Sequence, residues 1–223
     1  CSMLCIVIVI PQGAVRPGIV HRLDRFTSGV MVVAKRPHAH ALLQLQFQNK
    51  TTERRYEALV CGVIEPEEGS ACAWLSKDAN DLGRITVVPN DDKRGRKAVT
   101  HYECLEVFKS SNVSLLSLRL ETGRTHQIRA HCAWILGAPL LGDVIYGGGA
   151  DWSARRGDPP HLLHSSPTPQ VPSDVVAQMP RQALHARSLS FTHPVTGKRM
   201  AFNAPPPPDF ESTLQLLREL EQG

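Results

Sequence analysis

His21-Arg22-Leu23-Asp24-Arg25-Phe26-Thr27-Ser28-Gly29 is a polar segment set between two apolar ones, Gly18-Ile19-Val20 before it and Val30-Met31-Val32-Val33 after it. The β-branched residues on both sides predict buried strands, so the polar stretch is expected on a loop that two strands hold. Asp24 lies between Arg22 and Arg25 there. A carboxylate in such a loop stays ionised while partly shielded from water, which is what a carboxylate nucleophile or base needs. An ordinary loop Asp more often makes a turn or a surface ion pair. The segment read alone leaves both readings open.

Working outward, Leu42, Leu43 and Phe47 share one face of a helix expected from Pro37 to about Gln48, with Asn49-Lys50 at its end. Arg55 to Ile64 reads as a strand, with Pro66 and Gly69 supplying the turn after it. Apolar stretches at Ala71 to Leu75, Ile85 to Val88, Ala98 to Val107 and Val113 to Leu120 predict an antiparallel meander. Thr125 is the expected cap of a helix running to Leu136, with Ile128, Cys132 and Ile135 on its buried face and Gly137 as its stop. The Gly-, Pro- and Ser-rich stretch Gly147 to Pro180 is expected to be a surface insertion. Strands are then expected at Leu184 to Phe191 and Arg199 to Asn203, joined by the turn His193-Pro194-Val195-Thr196-Gly197. After a stiff Pro205 to Pro208 connection, Phe210, Leu214, Leu217 and Leu220 recur at the spacing of a closing amphipathic helix.

With 223 residues and 42% hydrophobic content, the chain can bury a core unaided, as one domain or two fused halves. A net charge of +4 suits a polyanionic partner but also suits many enzymes. Cysteines at 1, 5, 61, 72, 104 and 132 form no CxxC pair, which favours reduced thiols over a zinc site or a disulfide scaffold. Met3 to Ile10 is far shorter than the roughly 20 residues a spanning helix needs. It reads as a strand, and no membrane association is expected. The chain begins with Cys, so a fragment of a longer protein is one expectation, and the absence of a leader carries no weight.

A second cluster, Thr122-Gly123-Arg124-Thr125-His126-Gln127-Ile128-Arg129-Ala130-His131, packs two arginines, two histidines and an amide into a turn and a helix start. Guanidinium and backbone N–H groups in that arrangement favour an anion. Arg129 falls near the buried face and there requires a carboxylate partner, for which Asp24 is the candidate. A metal site at His126, His131 and Cys132 lacks familiar ligand spacing. A hydrolase using Ser28 lacks the G-x-S-x-G elbow. A glycosidase needs two placed carboxylates, and Asp143 reads as a structural loop residue beside Gly142.

His21 to Gly29 resembles the HRLDxxTSG signature of RluA-family pseudouridine synthases. Arg55-Tyr56-Glu57-Ala58-Leu59-Val60 resembles that family's tyrosine motif, and Thr122 to Arg129 its TGRTHQIR motif. These are followed in the family's order by Gly137 with Pro139, Gly142-Asp143 with Tyr146-Gly147, Leu184-His185-Ala186, and Phe191 with His193-Pro194. The likeness runs from about Gly18 to Phe210, and several motifs in order are far more specific than one. Met3 to Gln12 stands where the family usually carries a Lys-Pro and Gly motif, and no S4-like module precedes it in these residues.

The resemblance implies an α+β fold: a mixed, largely antiparallel bent sheet around a central catalytic cleft, with helices on its outer faces. It implies a single catalytic domain over residues 1–223, with 147–180 inserted. It further implies a uridine-to-pseudouridine isomerase of structured RNA, rRNA or tRNA, that acts on a flipped base. Asp24, Tyr56 and Arg129 are the implied catalytic residues: Asp24 the nucleophile, Tyr56 stacking on the base, Arg129 paired with Asp24. Arg22, Arg25, Arg124, His126 and Gln127 are the expected RNA contacts. No cofactor and no metal are expected, the protein is expected to be a monomer, and its compartment is expected to be intracellular, cytoplasm or organelle. An RNA-binding protein without turnover on the same scaffold is the alternative. A carboxylate opposes a polyanion, so RNA affinity alone gives no reason for Asp24.

Overall fold

A computed structural model of the protein describes residues 18–79, 81, 83–147 and 170–223. Among these, the elements in chain order are β1 (Ser28–Gly29), α1 (Pro37–Gln48), β2 (Glu53–Cys61), β3 (Glu68–Lys77), β4 (Ile85–Val88), β5 (Arg96–Phe108), β6 (Val113–Leu120), α2 (Gln127–Trp134), α3 (Ser173–Gln178), β7 (Leu184–Thr192), β8 (Arg199–Asn203) and α4 (Pro208–Gln222). The fold is α+β with a mixed, largely antiparallel sheet: β1 pairs in parallel with β7, while β7–β8, β3–β4, β3–β5 and β5–β6 are antiparallel. The chain forms two compact units, Cys1–Tyr56 with His185–Pro206, and Glu57–Leu184 with Pro207–Gly223.

In the first unit, Val30, Val32, Ala34, Leu43, Leu189, Phe191 and Ala204 make the core. Val30, Val32 and Ala34 fall at alternate positions and share this core, and Val33 between them is buried too. Pro37 opens α1 at the first helical position, where its fixed φ suits the helix and its missing N–H costs nothing. The Gln46 amide ties α1 to β7, donating to the Thr192 carbonyl at 2.7 Å and accepting from the Thr192 N–H at 2.8 Å.

In the second unit, a one-residue irregularity between Cys104 and Glu106 in β5 divides the sheet's chemistry. An extra residue in a strand reverses which face the following side chains point to. Ala98 therefore joins Ala73, Leu75 and Ile85 under Ala130, Ala133 and Trp134 of α2, whereas Phe108 joins Val113 and Leu115 under Phe210, Leu214 and Leu217 of α4. The two helices cover opposite faces of the unit's strands. The buried Phe210, Thr213, Leu214 and Leu217 fall at i, i+3, i+4 and i+7 as expected, while Leu220 lies beyond that stripe and is exposed.

Two expectations change. The helix start at Thr125 is displaced: α2 begins at Gln127, and His126 holds the cap position in a left-handed conformation (φ 50°, ψ 23°) with no side-chain cap. The stretch Gly147 to Pro180 is not surface insertion to its end, because Val175 and Met179 are buried in the second unit's core. Alternating Gly, Pro and Ser hid the short α3 that carries Val175. Residues 148–169 of that stretch, and the Met3 to Ile10 strand, lie outside the described residues.

Candidate active site

The Asp24 segment is a loop closed at its base. Ile19 bridges Val33, the Ala34 N–H donates to the Gly18 carbonyl at 2.8 Å, and the Val32 N–H donates to His21 Nε2 at 3.0 Å. His21 lies flat on Phe47 of α1, with ring centroids 4.5 Å apart. Burial, reinforced by the nearby Arg54 charge, lowers the His21 pKa to about 4, so its ring is neutral at pH 7 and free to accept at Nε2. The motif's first residue is thus a backbone anchor.

Downstream, the Thr27 N–H donates to the Asp24 carbonyl at 3.0 Å, which folds Arg25 and Phe26 into the turn. Phe26 takes φ 69°, a conformation unusual for an aromatic residue; the residue is 58% exposed, and the Arg25 guanidinium lies over its ring, 4.7 Å from the centroid. Ser28 Oγ lies 2.9 Å from His185 Nδ1, and His185 Nε2 lies 3.0 Å from the Ala204 carbonyl. A carbonyl only accepts, so Nε2 carries the ring proton and Ser28 donates to Nδ1. Gly29 has φ +117°, and a Cβ there would stand 2.3 Å from the Ala186 carbonyl oxygen. Glycine is required for the loop to run alongside β7. Arg22 and Arg25 are exposed, and Asp24 is half-buried between them.

Tyr56 is 8% exposed on β2. Burial pushes its phenol above the ordinary range; the Arg54 charge acts to lower it and the Asp24 charge to raise it. The phenol is therefore a protonated donor at neutral pH, with the Asp24 carboxylate close enough to bear on it. Arg54 was missed in reading the sequence, which singled out exposed Arg55 instead. The signal was alternation: Glu53, Arg55 and Glu57 are polar on one face, so a basic residue on the Tyr56 face is out of pattern.

In the second unit, Arg129 is buried as expected, and its carboxylate partner is Asp143. Arg129 Nε donates to Oδ2 at 2.6 Å and Nη2 to Oδ1 at 2.7 Å. The need for a carboxylate, which had pointed to Asp24, is met by Asp143. Asp143 is accordingly more than a turn residue, though it also accepts the Ile145 and Tyr146 N–H groups at 3.0 and 3.1 Å. Gln127, expected to meet RNA, spends its amide internally. Its Nε2 donates to the Val99 carbonyl and to Thr100 Oγ1, both at 3.0 Å, while Oε1 accepts from Thr122 Oγ1 at 2.7 Å and the Arg124 N–H at 3.0 Å. With two donors and two acceptor sites used, it holds the loop in place. Arg124 is exposed, and half-buried His126 has Nδ1 3.2 Å from the Tyr146 hydroxyl. His131 Nδ1 lies 2.8 Å from Thr100 Oγ1. Burial pushes the Cys132 thiol up to about 12, where it is inert.

The sequence model of the RNA pseudouridylate synthase family matches residues 8–134, more than half of the chain. This chain belongs to the RNA pseudouridylate synthase family. Within that family it is of the RluA type, whose motifs it carries in order. It is 42% identical over 212 residues to RNA pseudouridine synthase 2, chloroplastic, of Oryza sativa subsp. japonica, covering 94% of this chain and 46% of the relative. It is 43% identical over 204 residues to ribosomal large subunit pseudouridine synthase D of Pseudomonas aeruginosa, covering 92% of this chain and 58% of the relative. The chain thus spans about half the length of the curated relatives it matches. Among solved structures, human RNA pseudouridylate synthase domain containing 4 superposes with a TM-score of 0.67 at 25% identity, over 90% of this chain and 76% of that one. The pseudouridine synthase fold expected from the motifs is the fold observed. No helix among the described residues is long and apolar enough to cross a membrane.

Proposed function

We propose that the chain is the catalytic domain of an RNA pseudouridine synthase that acts as a monomer on structured RNA. Ribosomal RNA is the first substrate to try, since the Pseudomonas relative is named for the large ribosomal subunit. The observation that carries this reading is a family motif whose Asp24 bears electrostatically on the buried Tyr56 phenol.

Asp24 acts as the nucleophile at the ribose of the target nucleotide. The carboxylate bonds to C1′ as the C1′–N1 bond breaks; the freed uracil turns, its C5 bonds to C1′ and displaces the Asp24 carboxylate, the C5 proton leaves, and N1 gains one. The product is an isomer, so no oxidant, reductant or cofactor enters the balance. Tyr56 supplies a ring face for the extruded base and a phenol for proton transfer. Arg129, with its fork taken by Asp143, acts as a positioning residue in its own unit and not at the reacting atoms. Arg22, Arg25, Arg124 and His126 meet the RNA, and exposed Phe26 offers a base a stacking surface. Gln127 holds the Thr122–Arg124 turn from within.

Base-resolved pseudouridine mapping of RNA exposed to the wild type and to Asp24→Ala, in a background lacking the native activity, tests this reading. Marks that appear with the wild type and vanish with Asp24→Ala support it and name the substrate. RNA that is bound but unmarked by both proteins favours an inert binding protein.

A further inference from the structure

Three arginines are buried among the described residues: Arg54, Arg84 and Arg129. Arg84 Nη2 holds Asp78 Oδ2 at 2.7 Å, and Arg129 holds Asp143. Arg54, 9% exposed, has neither ion pair nor hydrogen bond among the described residues, and its Nε is buried without an acceptor. Among the described residues, the neighbours that bear on it are the Phe47 ring, whose centroid is 5.7 Å from its guanidinium carbon, the protonated Tyr56 phenol, and neutral His21 stacked on the same Phe47; Asp24 bears on Tyr56 and forms no ion pair with Arg54. A guanidinium remains protonated at physiological pH, so the fold carries an uncompensated buried cation at a cost to its own stability.

We propose that the missing counter-charge is a phosphate of the bound RNA, and that Arg54 is a phosphodiester-binding residue beside the target nucleotide. The proposal rests on the pseudouridine synthase reading and deepens it. Two positions along β2 place Arg54 on the same face as Tyr56, about 7 Å away at the rise of a strand. A nucleotide whose base lies against Tyr56 has its own backbone within reach of that guanidinium. Exposed Arg22 and Arg25 attract RNA through solvent, where salt screens them. Arg54 acts from a shielded position, where a charge-assisted pair to phosphate is stronger and its fork fixes direction.

Arg54→Met removes the cation and keeps the bulk. In phosphate-free chloride buffer it is expected to melt above the wild type, because a buried charge without a partner has gone. Added sulfate or inorganic phosphate should raise the wild-type Tm and leave that of Arg54→Met unchanged. Binding of a ribosomal RNA transcript, followed against salt concentration, should show a log–log slope shallower by roughly 1 in the variant, the loss of one phosphate contact. Arg54→Lys should retain the wild-type slope with weaker binding. An Arg54→Met protein that melts below the wild type in that buffer, or one whose salt slope equals the wild type's, overturns the assignment. Pseudouridine formation by the wild type on the same transcript is scored separately. Its absence would sink the enzymatic reading while the melting and slope comparisons still judge Arg54.

Discussion

Arg129 and Asp143 form a bidentate ion pair at 2.6 and 2.7 Å, with side-chain exposures of 5% and 0%. Two parallel charge-assisted bonds lock the guanidinium plane, and the same carboxylate closes the turn through Ile145 and Tyr146. Breaking such a pair strands a buried charge, so Arg129→Met should cost about 3–5 kcal/mol of unfolding free energy. Replacing both partners, as Arg129→Met with Asp143→Leu, should cost less than the sum of the single changes. Urea denaturation of the four proteins checks this, and additive losses would show that the pair does not act as a unit.

Gly29→Ala puts a methyl group 2.3 Å from the Ala186 carbonyl oxygen at φ +117°. Neither the strand nor the loop can yield without losing the β1–β7 pairing. A loss on the order of 3 kcal/mol is expected, with strain at a left-handed backbone adding to the clash. Thermal melting reads it; a melting temperature equal to the wild type's would mean that the Asp24 loop is not fixed by this contact.

His21 and His131 each have a folded pKa lowered to about 4, chiefly by burial, from an ordinary 6.5. Below pH 6.5 the unfolded chain takes up protons that the native rings refuse. Their contribution to stability is therefore complete above that pH and shrinks as pH falls toward 4, by up to about 3 kcal/mol for each ring. Urea midpoints measured between pH 7 and 4.5 should fall, and His21→Gln, which keeps an acceptor for the Val32 N–H, should remove roughly half of the dependence. An unchanged pH slope in His21→Gln would show that the ring is protonated in the fold.

Tyr56→Phe keeps the ring and deletes the phenol beside Asp24. Proton transfer by a positioned group is worth about 10²–10⁴ in rate, so kcat should fall at least a hundredfold while RNA affinity stays level. Single-turnover assays with a labelled transcript separate the two quantities. A loss confined to binding would make Tyr56 a stacking residue alone.

Most strands were legible because β-branched runs and turn residues act locally: Ile85–Val88, Val113–Leu120 and Arg199–Asn203 lie where their patterns put them, whereas the two buried strands expected around the Asp24 loop are reduced to the Ile19–Val33 bridge and the short Ser28–Gly29 strand, whose pairing with β7 no local pattern announces. Legible too were the charged residues of the Asp24 loop, since nothing else explains so many polar groups between two apolar runs. The partners of those residues were not legible. Arg129 needed a carboxylate, and nothing local chooses between Asp24 and Asp143, fourteen positions downstream, until the chain has folded. Gln127 looked like a free amide in a polar motif, because its bonds to Val99 and Thr100 come from a strand nearly thirty residues earlier. Arg54 was visible as a letter but not as a buried charge, for its burial depends on groups from other segments, among them Phe47 of α1. Periodicity and motif order are written along the chain, and they were enough for most elements, the family and the reactive residue types. Only the tertiary structure decided which charges are paired and which buried cation is left without a partner, because hydrogen bonds and desolvation are set by neighbours distant in sequence.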